Sequence, residues 1–248
     1  MVSGIGEGIR LNNKRRGTTS GVNRIEDLNL FYELLHKLES KIGMRYLAQC
    51  DGKTGWPRQG VYFFFEDGEI RDPSGSLRVV RVGTHAVSDG SKTRLWDRLR
   101  QHRGNLAGHH AGGGKHRGSI FRLHVGASLI NKNGIQCTTW LEDSTADKSI
   151  RDSEHSLEVM VSNKIRTMPF LWLKAEDNPG HQSVRKYIER NAIGLLSNYS
   201  RPVIDEASPG WLGRYCANAL VRESGMWNVD HVDEKYCPVF LSCIESLI

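Results

Sequence analysis

GVYFFFEDGE at 60–69, LRVVRVG at 77–83, THAVSDGSKT at 84–93 and RLWDRLRQHR at 94–103 form the stretch that decides the fold. Gly60-Val61-Tyr62-Phe63-Phe64-Phe65 is β-branched and aromatic, and Glu66-Asp67-Gly68 bounds it, so it predicts a strand. The Val- and Leu-rich run Leu77–Gly83 predicts its paired neighbour. Turn residues from Asp67-Gly68 to Asp72-Pro73-Ser74-Gly75 lie between them, which predicts an antiparallel hairpin with an enlarged loop. A helix follows. At about 100° per residue Leu95 and Leu99 centre an apolar stripe and Trp96 widens it. Arg98 and His102 fall one turn apart at its edge, facing the boundary between core and solvent. A guanidinium and an imidazole held there can face an anion, because arginine forks onto phosphate. A surface arginine beside a half-buried histidine is the plainer account of such a pair taken alone.

The order of these parts resembles the GIY-YIG nucleases. The likeness rests on Gly60-Val61-Tyr62, on Val82-Gly83, and on Leu95-Trp96-Asp97-Arg98 with His102. One position departs from it: Arg81 stands where the second motif carries a tyrosine. The resemblance implies a small mixed, largely antiparallel sheet flanked by helices, an α/β (α+β) fold. It also implies a metal-dependent DNA endonuclease using Mg²⁺ or Mn²⁺. Arg98 would stabilise the transition-state charge, and Tyr62 would activate or orient the attacking water. An ordinary phenol holds its proton at neutral pH, so that role needs cationic neighbours. His102 would steer Tyr62 or touch a phosphate, and His85 or Lys92 would cover for the missing tyrosine.

Composition agrees with a polyanionic partner. The 248-residue chain carries a formal charge of +6, a pI near 9.1 and 38% apolar residues, enough for a core. Five widely spaced cysteines without a Cys-x-x-Cys pair read as reduced thiols, and no apolar run has the ~20 residues of a membrane span. The expectation is a cytoplasmic protein with no membrane partner.

Taken in order, residues 1–23 read as a flexible basic arm, with Lys14-Arg15-Arg16 as candidate phosphate contacts or a solvated tail. Residues 24–58 comprise a helix and a loop. Ile25, Leu28, Phe31, Leu35, Leu38 and Ile42 recur at helical spacing between Asn23, a candidate N-cap, and Gly43. The nuclease-like core is set at 59–204, with a basic Gly/His loop at 103–119 whose Lys115, Arg117 and glycine amides suit phosphates. His109, His110 and His116 could instead bind a metal, but no cysteine is near and the spacing fits no zinc pattern. The alternation in Ser119–Val125 predicts a third strand. A helix through Leu157, Val161 and Ile165 and a strand over Met168–Leu173 follow, then a turn at Glu176–Gly180.

On the helix expected from Ser183 to about Ser197, Glu189 falls inside the arc made by Ile188, Ala192, Ile193 and Leu196. An ionised carboxylate there needs a cation, either an arginine or a metal. The resemblance makes Glu189 the metal ligand and Asn198 the asparagine that follows it; Glu154 and Glu158 are weaker competitors. Residues 205–248 are expected to be a C-terminal extension with a helix over Tyr215–Glu223. There Trp211, Trp227, Asn228 and His231 suit a packing cap more than a substrate surface. Expected DNA contacts are Lys92, Arg94, Arg103, Lys115, Arg117 and Asn198. A homodimer would suit cutting of both strands, and restriction or defence would suit the enzyme. A DNA-binding module that has lost catalysis, and a protein that binds RNA or an acidic partner, are the other classes left open.

Overall fold

The computed structural model describes residues 23–71, 75–86, 90–142, 145–178, 180 and 182–248. The arm at 1–22 and the turn at 72–74 lie outside these. In chain order the elements are α1 (Arg24–Ile42), β1 (Arg45–Tyr46), β2 (Gly60–Ile70), β3 (Leu77–Gly83), α2 (Leu95–Arg103) and α3 (Ile120–Asn133). Then come α4 (Lys148–Ser153), α5 (His155–Arg166), β4 (Pro169–Lys174), α6 (Val184–Leu196), α7 (Ala219–Ser224) and α8 (Val239–Leu247).

The sheet has the order β1-β4-β2-β3 and every pairing is antiparallel. Strand β2 lies inside it and is buried on both faces from Gly60 to Glu66, which explains a continuous apolar run where a one-sided strand would alternate. Val61, Phe63 and Phe65, with Val79, Val82, Leu171 and Leu173, pack beneath α1, α6 and α8. Tyr62, Phe64, Val80 and Phe170 face the opposite way, onto α2, α3 and α5. The result is a sheet between two helical layers, each with its own core.

Several expectations hold at the level of residues. Asn23 caps α1 by accepting the Glu26 amide at 3.4 Å, and Ser183 caps α6 through the Lys186 amide. Three do not. Ser119–Val125 is no strand: Ser119 caps α3, and the buried set Phe121, Val125 and Ser128 has helical spacing. The strand β2 does not stop at Phe65 but runs through Gly68 to Ile70, with register shifts against β3 on the way. Glu66 and Glu69 look like turn residues but are buried, satisfied by Lys164 and Ser208 from far along the chain and by Arg78 from the paired strand. Lys164 pairs with Glu66 at 2.6 Å and Arg78 with Glu69 at 2.9 Å. The helix expected over Tyr215–Glu223 is broken into a single turn at Leu212–Tyr215 and α7, which begins only after its cap Asn218.

Candidate active site

The antiparallel register sets Tyr62 opposite Gly83 and Phe64 opposite Arg81, so these side chains share the face that meets α2 and α3. The Tyr62 ring lies over Gly83. A Cβ at that position would come within 2.3 Å of the phenol oxygen, so glycine there makes room for the ring. The hydroxyl meets His102 Nε2 at 2.9 Å, and His102 Nδ1 meets Ser119 Oγ at 3.2 Å. Both rings are fully buried. Burial first, then the charges of Arg98, Arg81 and Arg122, keeps the His102 imidazole neutral, well below its ordinary value. A neutral ring that donates from Nδ1 to Ser119 has an Nε2 lone pair free to accept the Tyr62 proton.

An internal ion network holds this pair. Arg122, buried on α3, donates to the His102 carbonyl at 2.9 Å, to Ser162 Oγ at 2.9 Å and to the Glu158 carboxylate. Glu158 also takes the His116 ring at 2.9 Å. Its carboxyl falls to about 2 because those hydrogen bonds and Arg122 outweigh burial, the largest single influence. Glu154 is likewise engaged by Arg117 and Thr139. Both glutamates that compete with Glu189 are therefore committed to internal pairing.

Arg81 points from β3 over the Phe121 ring, 4.9 Å from its centroid, and donates Nη1 to the Trp227 carbonyl at 2.8 Å; its Nε is buried without a partner. Burial pulls the guanidinium below its ordinary value, while Tyr62 and Glu189 favour its charge and Arg98 opposes it. Glu189 reaches in from α6 and accepts the Thr84 amide at 3.1 Å, one residue past Gly83. Burial raises its carboxyl, with Arg81 chief among the opposing influences. No ion-pair partner lies against Glu189 among the described residues. Arg81, Glu189, Asn228, Asp230 and His231 line a small pocket of about 70 Å³. His231 adopts a positive φ of 65° and bonds Glu234 at 2.8 Å, a conformation that L residues seldom take without constraint.

Arg98 stands within electrostatic reach of His102, Arg81 and Glu189, whereas the remaining candidates are dispersed. Arg98 is half-buried and donates to Gln101 at 3.0 Å and to the Gly118 carbonyl at 3.3 Å. His85 bonds the Arg58 carbonyl at 3.2 Å, and burial holds its imidazole down at about 4. Lys92 and Arg94 are exposed beside the start of α2. Arg103 is turned inward, donating to the Cys50 carbonyl at 2.7 Å, and Arg117 engages Glu154. Asn198 is buried and ties Arg24, Ile204 and Asp205 together, away from the Glu189 pocket. The asparagine in that pocket is Asn228, whose amide brackets the Val82 backbone at 3.1 and 2.9 Å. A separate groove of about 460 Å³ is lined by Arg100, Arg103, Asn105, Lys115 and Gly118, cationic and shaped for a polyanion.

A GIY-YIG domain model matches residues 22–248. No curated protein and no solved structure gives a significant match to the chain. Among the described residues no helix is long and apolar enough to cross a membrane.

Proposed function

Because the chain belongs to the GIY-YIG nuclease family, we propose that it is a metal-dependent DNA endonuclease acting at the Glu189–Arg81 pocket, suited to restriction or defence. The observation that carries this is Glu189: a carboxylate raised by burial, anchored by one backbone amide and lacking an ion-pair partner. Such a group fits a hard cation that takes oxygen donors, and the exposed Asp230 carboxylate on the same pocket adds a second. Mg²⁺ or Mn²⁺ held there would neutralise phosphate charge and lower the pKa of a bound water.

The chain's own groups do the rest. Arg98 and Arg81 supply positive charge where the phosphorane-like transition state gathers negative charge. Tyr62 keeps its proton in the hydrogen bond to His102 Nε2, which fixes the phenol beside the Arg81 guanidinium, where its oxygen would orient the attacking water. Ser119, and Arg122 through the His102 carbonyl, keep that imidazole aimed. Lys92, Arg94 and Lys115, with the groove beside α2, carry the flanking DNA strand. A second copy would serve the opposite strand.

One observation favours the alternative of a DNA-binding module impaired in catalysis: Tyr62 is fully buried and does not line the pocket, whereas Arg81 does. Cleavage of plasmid DNA with Mg²⁺, Mn²⁺ or EDTA, in wild type, Arg98→Ala and Arg81→Met, separates the two. Metal-dependent cutting lost in both variants supports the enzyme. Tight, salt-sensitive binding without cutting, or cutting that improves in Arg81→Met, supports the module.

A further inference from the structure

A second cluster of ligating side chains stands apart from the Glu189 pocket, where the Gly-rich loop folds against α4. His109 Nε2 and His110 Nε2 lie 3.1 and 2.8 Å from the same Asp152 oxygen, Oδ1. The three ligand atoms fall within 4.8 Å of one another. Lys148 holds the other oxygen, Oδ2, at 2.6 Å. The two imidazoles meet edge to face with centroids 4.7 Å apart, and a third, His155, stands 5.5 Å from His110. The His155 Nδ1 is buried and finds no hydrogen-bond partner among the described residues.

Two imidazoles drawn to one carboxylate oxygen form the corner of a coordination shell. Donors bound to one Zn²⁺ at ~2.1 Å sit about 3.4 Å apart in a tetrahedron, so small side-chain rotations bring these three onto a single ion. His155, or water, completes the four. The donor set is nitrogen-rich, which suits borderline transition metals and not the hard cation that Glu189 would take.

We propose that His109, His110 and Asp152 bind a transition-metal cation, best matched by Zn²⁺, that clamps the loop at 104–115 onto α4. The loop connects α2 to α3 and carries Lys115 at the rim of the cationic groove. The metal would fix its path between two fixed helices and so hold that rim in one shape. None of the three ligands is needed for the chemistry at Glu189.

The test is titration of chelator-stripped full-length protein with ZnCl₂ by calorimetry, in buffer that already contains Mg²⁺. The expected result is one Zn²⁺ per chain, weakened about tenfold or more in His110→Ala and Asp152→Asn and unchanged in Glu189→Gln. Zinc should also slow trypsin cleavage in the loop of the wild type but not of the two ligand variants. His110 is half-buried and Asp152 exposed, with neither in the core, so the folded state should survive their substitution, which circular dichroism checks. Absence of saturable binding, equal binding by the ligand variants, or loss of binding in Glu189→Gln would each overturn the proposal.

Discussion

The Tyr62 hydroxyl and His102 Nε2 are 2.9 Å apart and both fully buried, joining the first strand of the motif to the helix that follows it. The bond gives the phenol a neutral acceptor within the same core. Tyr62→Phe keeps the ring and removes only the hydroxyl and its bond to His102. Cleavage should fall about 100-fold or more, with DNA affinity kept, as a gel-shift titration beside the cleavage assay would read.

Gly83 is constrained by the same ring. A methyl group there meets the phenol at 2.3 Å, so Gly83→Ala must push Tyr62 off His102. Overpacking of this kind costs about 1–3 kcal/mol. Lower thermal stability and impaired cleavage should appear together. An unchanged melting temperature would mean that the Tyr62 ring does not lie over Gly83.

Glu189 sets function against stability. Its carboxyl is raised by burial, so the folded chain favours the protonated form. The stabilising effect of that proton is complete below the ordinary carboxyl value and lost as pH rises through the raised one. At neutral pH the charge therefore weakens the fold. Glu189→Gln, which can still accept the Thr84 amide, should lose metal-dependent cleavage yet melt higher than wild type at pH 7. A lower melting temperature would sink this account.

Acid should unfold the protein through its buried imidazoles. Burial lowers His85 and His124 to about 4, and His102 further still. The unfolded chain takes up protons on these groups near their ordinary value of 6.5, while the folded chain refuses them. Stability is thus full above that value and declines as pH falls toward 4. These imidazoles alone would take up about three protons on unfolding near pH 5. Melting temperatures that stay level between pH 7 and 5 would contradict this.

The hairpin, α1, α6 and the strand at Pro169 were legible because local patterns agree with the fold there: a Gly-bounded aromatic run, helical spacing from Leu28 to Leu38, caps at Asn23 and Ser183. Glu189 was legible as a carboxylate inside an apolar arc. What escaped was set by distant partners. Glu66 and Glu69 read as turn residues because Lys164 and Ser208, which bond them from far along the chain, cannot be placed from local sequence. Ser119–Val125 alternates like a strand because Arg122 and His124 are polar, yet both are buried on a helix. Nothing local links His109 and His110 to Asp152, 42 residues further on from His110. The pocket position of Asn228 depends on its bonds to Val82 and has no local signal at all.

The segment at 227–228 covers the open edge of β3 with one backbone bond and one side-chain amide. The Trp227 amide donates to the Val80 carbonyl at 2.7 Å, and the Asn228 amide serves Val82 on both sides. The outermost strand of the sheet thus offers few unmet backbone groups to a passing chain. Removing the chain beyond Gly225 would bare this Val-rich border, able to recruit another strand, and uncover the core beneath α8. Truncated forms should consequently self-associate into aggregates, which light scattering would register.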